Sequence, residues 1–259
     1  IVSDYITPED SEPHIYKQAW RPDTTKHLTL DSETKAMTTH YDSGPNIQVV
    51  PADAEQISAR VEQSYMNNPN DGEQLTDYVR YCREGVSGPQ TFDTVLYPDR
   101  EGEKTYVAVK RLDLDQVPTI DATALQIDIG LNTGFYYSSN EAAPPTRSFG
   151  KYTTNAQMAY IEEDRKKEIS MLAMTKASSL KQGEIAIVSS DEPMEDFGAK
   201  WSGQTLQLFT QSGTLPRSGV RIYSQRPINE VTLNGTQVQF TVADHFVTTD
   251  GTPLSGALN

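Results

Sequence analysis

The sequence predicts an all-β protein: a multi-sheet antiparallel β-sandwich of the super-sandwich type, with a smaller sheet toward its C-terminus. Three observations carry this. Apolar and polar residues alternate with period two through most of the chain, the spacing that buries one face of a strand. The alternating runs are short and are separated by clusters of Gly, Pro, Asn, Asp and Ser. No segment sustains apolar residues at a clear helical spacing. At 259 residues, with 36% hydrophobic and 22% charged residues, the chain can bury a real core as one large β domain or two smaller ones.

In chain order, HIYKQAW (14–20) places Ile15, Lys17 and Ala19 on one face and His14, Tyr16, Gln18 and Trp20 on the other. Further strands are expected at 27–31, 34–42, 46–50, 58–66, 76–82, 91–97 and 104–112. FDTVLYP (from Phe92), ATALQIDIG, FYYSS and RSFGKYTTNAQMAYI (to Ile161) read as four consecutive strands. The remaining strands are expected at 157–164, 168–175, 184–190, 204–210, 219–224, 229–233 and 236–242. Turns are expected at Ser43-Gly44-Pro45, Asn70-Asp71-Gly72, Asn132-Thr133-Gly134 and Ser212-Gly213. Asn234-Gly235, between EVTL and TQVQF, predicts a type I′ hairpin, because both central residues need positive φ. Residues 52–57 read as a turn, with Pro51 at a helix start. The segment from Glu168 reads as a strand followed by a turn near Lys176–Ser179, and Asp191 to Gly198 reads as an acidic loop. A domain boundary is expected near 175–185, giving a main sandwich over 1–180 and a smaller sheet region over 181–259, either separate from the first or continuous with it.

Composition excludes several functions. A net charge of −14 argues against nucleic acid, which needs clustered Lys and Arg, and predicts that the chain as a whole does not draw in a polyanionic sugar unaided. No run approaches about 18 apolar residues, so no membrane-spanning helix is expected. The single cysteine, Cys82, excludes an internal disulfide and reads as a structural thiol. Ile1 looks like a cut point in a longer protein.

Catalytic constellations are equally sparse. His14, His27, His40 and His245 show no zinc-site spacing, although the first three are evenly spaced along the chain. No G-x-S-x-G elbow and no Gly-rich phosphate loop is present. Asp113 and Asp115, and Glu162, Glu163 and Asp164, read as solvated strand ends rather than a glycosidase pair. Asp113, Asp115 and Asp121 lack the loop pattern of a calcium cage. Tyr136, Tyr137 and Trp201 are the candidates for stacking on sugar rings.

The strands VSDYI and HIYKQAW, then FDTVLYP, RSFGKYTTNAQMAYIEED and the closing IYSQRPINEVTLNGTQVQF resemble, over residues 1 to about 240, the C-terminal β-sandwich of heparinase II/III-like and alginate-lyase-type polysaccharide lyases. The resemblance implies an N-terminal α/α toroid partner in the same protein, an acidic polysaccharide substrate cleaved by β-elimination, and a bacterial secreted or periplasmic setting. In that family Tyr and His transfer protons, and many members hold zinc through His and Asp that precede the segment matching Ile1. No position here matches those motifs, so no catalytic, cofactor-binding or metal residue is assigned, and any zinc belongs outside this segment. The expected role is a non-catalytic scaffold of a lyase. The alternatives are a stand-alone carbohydrate-binding or adhesive module, and an independent hydrolase using a pair among Asp113, Asp115, Glu162 and Asp164.

Overall fold

The structure, a computed structural model, describes residues 1–22, 28–68, 72–100 and 103–254. These residues form strands throughout, with one short 3-10 turn (Ala54–Gln56) and no α-helix among them. The chain divides into two compact units, Ile1–Arg111 with Asp128–Gly130, and Leu112–Ile127 with Leu131–Asn259.

The first unit holds β1 (Val2–Ile6), β2 (His14–Trp20), β3 (Leu28–Leu30), β4 (Met37–Thr39), β5 (Asn46–Pro51), β6 (Ser58–Asn68), β7 (Gly72–Val86), β8 (Gln90–Asp99) and β9 (Val107–Arg111). Two antiparallel sheets form, in the orders β1-β8-β5-β4-β3 and β2-β7-β6. Tyr16, Val79 and Tyr81 from the three-stranded sheet meet Met37, Val49 and Phe92 from the five-stranded one in a shared core. That is a sandwich built on period-two alternation, and the burial of β2 follows the alternation read from HIYKQAW residue by residue. Gln18, buried on β2, donates to Asp4 at 2.8 Å and accepts from Thr94 at 2.9 Å, tying its strand to both β1 and β8.

The core of this unit is small, and charges supplement it. Arg111 donates Nε to Asp53 Oδ1 at 2.8 Å and a second nitrogen to Asp53 Oδ2 at 2.7 Å. It also reaches Asp93, whose side chain is fully buried. Arg83 donates to the same Asp53 oxygen at 2.6 Å. Two planar guanidiniums thus pair with two carboxylates that are largely withdrawn from water.

The second unit holds β10 (Ala122–Ile129, its last two residues grouped with the first unit), β11 (Asn132–Ser139), β12 (Arg147–Phe149), β13 (Tyr152–Thr154), β14 (Met158–Glu163), β15 (Ile169–Gln182) and β16 (Ile185–Ser202). It continues with β17 (Thr205–Phe209), β18 (Val220–Tyr223), β19 (Glu230–Leu233), β20 (Thr236–Gln237), β21 (Thr241–Ala243) and β22 (Phe246–Thr249). One branched sheet runs β20-β19-β17-β16-β15-β14-β11-β10, with β13 also pairing β15, and β18 joining β16 to β22 and β21. Its core is broad and apolar, centred on Tyr137, Phe149 and Tyr152, whose rings lie 5.3 and 6.0 Å apart in succession.

Several details differ from the sequence reading. No boundary falls at 175–185; those residues belong to the β15–β16 hairpin, and the units part at Arg111. The smaller sheets lie in the first unit, while the strands after residue 181 extend the large sheet. Lys176 takes a positive φ (48°) inside β15, and the β15–β16 register shifts just beyond it, between Ala177 and Ser179, so the chain continues as a strand rather than turning. The acidic stretch 191–198 lies within β16, where Phe197, Ala199 and Trp201 bury alternate side chains and overrule local charge. The turn expected at 132–134 falls at Gly130–Leu131, and β11 begins at Asn132. The four strands read between Phe92 and Ile161 are interleaved with β9, and their fourth segment breaks into β12, β13 and β14. Pro51 ends β5 rather than starting a helix. One pair, β17 with β19, is parallel.

The Asn234-Gly235 hairpin forms as expected, with Leu233 facing Thr236 and both turn residues at positive φ. The Asn234 side chain also clasps the neighbouring strand end, donating to the Thr210 carbonyl at 2.8 Å and accepting its N–H at 3.2 Å.

Candidate functional site

The residues singled out in the sequence do not converge. His14 bonds Asp10 at 2.7 Å, and His40 bonds Thr29 at 2.9 Å on the other sheet of the first unit. His245 belongs to the second unit, and His27 lies outside the described residues. Among the described residues no three His, Cys, Asp or Glu side chains gather as metal ligands. Tyr137 and Trp201 are core residues, 0% and 5% exposed, so neither offers a face to a sugar. Trp201 spends its indole N–H on Ser224 at 3.1 Å. Tyr136 is half-buried.

Glu162 and Glu163 are adjacent on β14, so the pleat sends them to opposite faces. Glu162 accepts from Asn132 and Ser170, both at 3.1 Å, beneath the Tyr160 ring that covers Gly134. Glu163 is buried and accepts the Tyr152 hydroxyl at 2.5 Å, with Lys151 Nζ at 2.5 Å from the same oxygen. Burial, then Glu163, pushes the Tyr152 phenol far up, so it keeps its proton. Asp164 caps the next turn and pairs with Arg226 at 2.7 Å. The three carboxylates therefore serve three separate structural contacts.

A different set of residues does converge. Because Tyr16, Gln18, Val79 and Tyr81 face the core of the first unit, alternation turns Lys17, Ala19, Tyr78, Arg80 and Cys82 to the outer face of the three-stranded sheet. Register then builds rows across it. Lys17 lies opposite Cys82, which lies opposite Ser58; Ala19 lies opposite Arg80, which lies opposite Arg60; Tyr78 lies opposite Glu62. Arg21 closes the third row with its guanidinium 5.1 Å from the Tyr78 ring centroid.

Glu62 is the hub of this face. It accepts Arg60 Nε at 2.7 Å, meets an Arg80 nitrogen, and accepts the Tyr78 hydroxyl at 2.5 Å. One carboxylate is shared by two guanidiniums, and the enclosed Nε–H of Arg80 finds no acceptor among the described residues. Cys82 sits at the base of the face, and burial pushes its thiol up, away from thiolate chemistry. Four cations therefore stand against Glu62, with Glu84 at the margin, in a chain of 22 basic and 36 acidic residues. At physiological salt, exposed charges are screened beyond about 8 Å, so a ligand at contact responds to this face more than to the net charge.

The face can hold anionic groups. Its central carboxylate, Glu62, is spent on Arg60, Arg80 and Tyr78, and Arg21 covers the Tyr78 ring. The sequence did carry a trace of it: Lys17 and Arg21, four apart in KQAWR, fall on one face of a strand. Only the pairing of β2, β7 and β6 brings Arg60 and Arg80 to them.

Fold and face together define an all-β, multi-sheet sandwich protein with a cationic sheet surface. No family model matches the sequence, and no curated protein matches it.

Proposed function

We propose that this chain is the non-catalytic β-sandwich part of a polysaccharide lyase that cleaves uronate-containing polysaccharide, of alginate or glycosaminoglycan type, by β-elimination. The cationic face of β2, β7 and β6 is the observation that carries this reading, because a segregated positive surface on an acidic chain suits a polymer bearing regular carboxylates or sulfates. In this reading proton transfer, and any zinc, belong to an α/α toroid and cleft outside the segment, in a secreted or periplasmic bacterial enzyme. This part supports the cleft and holds the polymer.

The test has two arms. Electrophoresis through gels containing alginate, a sulfated glycosaminoglycan or a neutral glucan should retard the chain only with the acidic polymers, and less as salt rises. Native gene product purified from the producing cells should release unsaturated uronate products from one of them. Retardation by neutral glucan alone, or no retardation, refutes the polymer-holding role. A native product that binds but never eliminates favours the second reading, a stand-alone carbohydrate-binding module, to which the self-contained first unit with its own core and binding face lends support.

A further inference from the structure

The first unit leaves one long sheet edge open. β6 ends the order β2-β7-β6, and no strand among the described residues pairs with its outer side. It pairs with β7 over 11 residues without a register shift, and its sequence SARVEQSYMNN holds no proline. Shortness, proline and bulges commonly keep such an edge from joining another chain, and β6 has none of them. On the side of β6 that faces the core further along, apolar residues run out into solvent: Val61 is 43% and Tyr65 67% exposed.

On the other side of β6 the charges are only half used. Arg60 gives its Nε to Glu62 of its own strand, and its terminal nitrogens have no partner among the described residues. Its cross-strand neighbour on β7 is Arg80, a like charge. Glu62 meets both guanidiniums through Oε1, while Oε2 takes only the Tyr78 hydroxyl. The open edge thus presents a free guanidinium end and a lightly used carboxylate oxygen, two residues apart on one face.

We propose that a second copy of this chain adds its own β6 to this edge, antiparallel and centred on Val61. A two-fold axis perpendicular to the sheet sets the charged side of one copy against the charged side of the other. Centring on Arg60 or on Glu62 would set like charges face to face, and centring on Gln63 would set Arg60 against Met66. Centring on Val61 sets each Arg60 opposite Glu62 of the other copy, twice by symmetry. Arg60 then lies between Arg80 on one side and a fresh carboxylate on the other, and Val61 covers Val61. Main-chain hydrogen bonds along Ser58 to Ser64 join the two three-stranded sheets into one. This pairing stands apart from the polysaccharide reading.

Sedimentation equilibrium of the whole chain over a concentration series tests it, and the mass should rise from that of one chain to that of two. Arg60→Glu sets carboxylate against carboxylate across the axis and should weaken association about tenfold. Within one chain the new carboxylate faces Arg80, so the fold is kept and the circular dichroism should be unchanged. Mild oxidation should link Val61→Cys chains to one another and leave Gln63→Cys chains unlinked, because only residue 61 meets its own copy. The native Cys82 is buried and stays out of the reaction. A chain that remains single at every concentration overturns the proposal. So does association that Arg60→Glu leaves untouched, or linking through position 63 in place of 61.

Discussion

The two units solve the same problem, stabilising a sheet sandwich, with different materials. The second relies on a wide apolar core in which Tyr137, Phe149, Leu172 and Leu180 are all but fully buried. The first has a short core, completed by Asp53 and Asp93 locked between Arg83 and Arg111. An apolar core loses stability in proportion to what is cut away, while a buried ionic cluster fails when one member leaves its partners uncompensated. Outside the cores the pairing also differs: on the first unit Arg60 and Arg80 share the one carboxylate of Glu62, while in the second unit Arg226 has two, Asp164 and Glu168, to itself.

The largest effects should come from striking each core at its own weakness. Asp53→Ala should cost about 3–5 kcal/mol by taking the carboxylate partner from Arg83 and leaving Arg111 with Asp93 alone, and hydrogen exchange should accelerate first in β7 and β8. Phe149→Ala should cost a similar 3–5 kcal/mol, with exchange rising in β13 and β15 instead. If both variants loosened the same strands, the contrast between the units would be lost.

A smaller effect is expected at the cationic face. Arg60→Ala/Arg80→Ala should weaken acidic-polymer binding roughly tenfold and flatten its salt dependence. Gly219→Ala should cost about 1–2 kcal/mol from the positive φ alone, read as a lower thermal midpoint, with the first unit's polymer binding unchanged.

The smallest effect is a pH response. Partial burial works against ionisation of Asp164, but the backbone N–H groups of Lys166 and Glu168, followed by Arg226, hold its carboxyl below the ordinary value of 3.8. A depressed value means that its stabilisation is present above the ordinary aspartate range and disappears as pH falls through the folded value. Acid titration should therefore loosen the 164–168 turn of the second unit, and Asp164→Asn should remove that part of the pH dependence.

Much of the fold was readable because alternation is a local property. HIYKQAW gave its buried and exposed faces, and Asn234-Gly235 gave its turn, without reference to any partner strand. Residues 191–198 misled because their charge resembles a loop, while their strand state depends on pairing with β15. The register shift between Ala177 and Ser179 was hidden for the same reason: such irregularities belong to a pair of strands. The cationic face was the least legible feature, since Lys17, Arg60 and Arg80 are far apart in sequence and meet only through the registers of β2 and β6 on β7. Reading Glu163 as a solvated strand end overlooked that β14 sends adjacent side chains to opposite faces, which buries Glu163 while Glu162 stays half-exposed.

The Asn234-Gly235 turn also bears on how the molecule ages. Asn before Gly is chemically labile, because the unhindered glycine nitrogen can attack the side-chain carbonyl carbon and expel ammonia. Here the amide is held at both ends by the Thr210 backbone. Deamidation would put a carboxylate oxygen against the Thr210 carbonyl and push β17 from its neighbour. The intact clasp acts as a protecting group on its own weak link, so the mass gain in the 230–237 peptide should appear only after the chain unfolds.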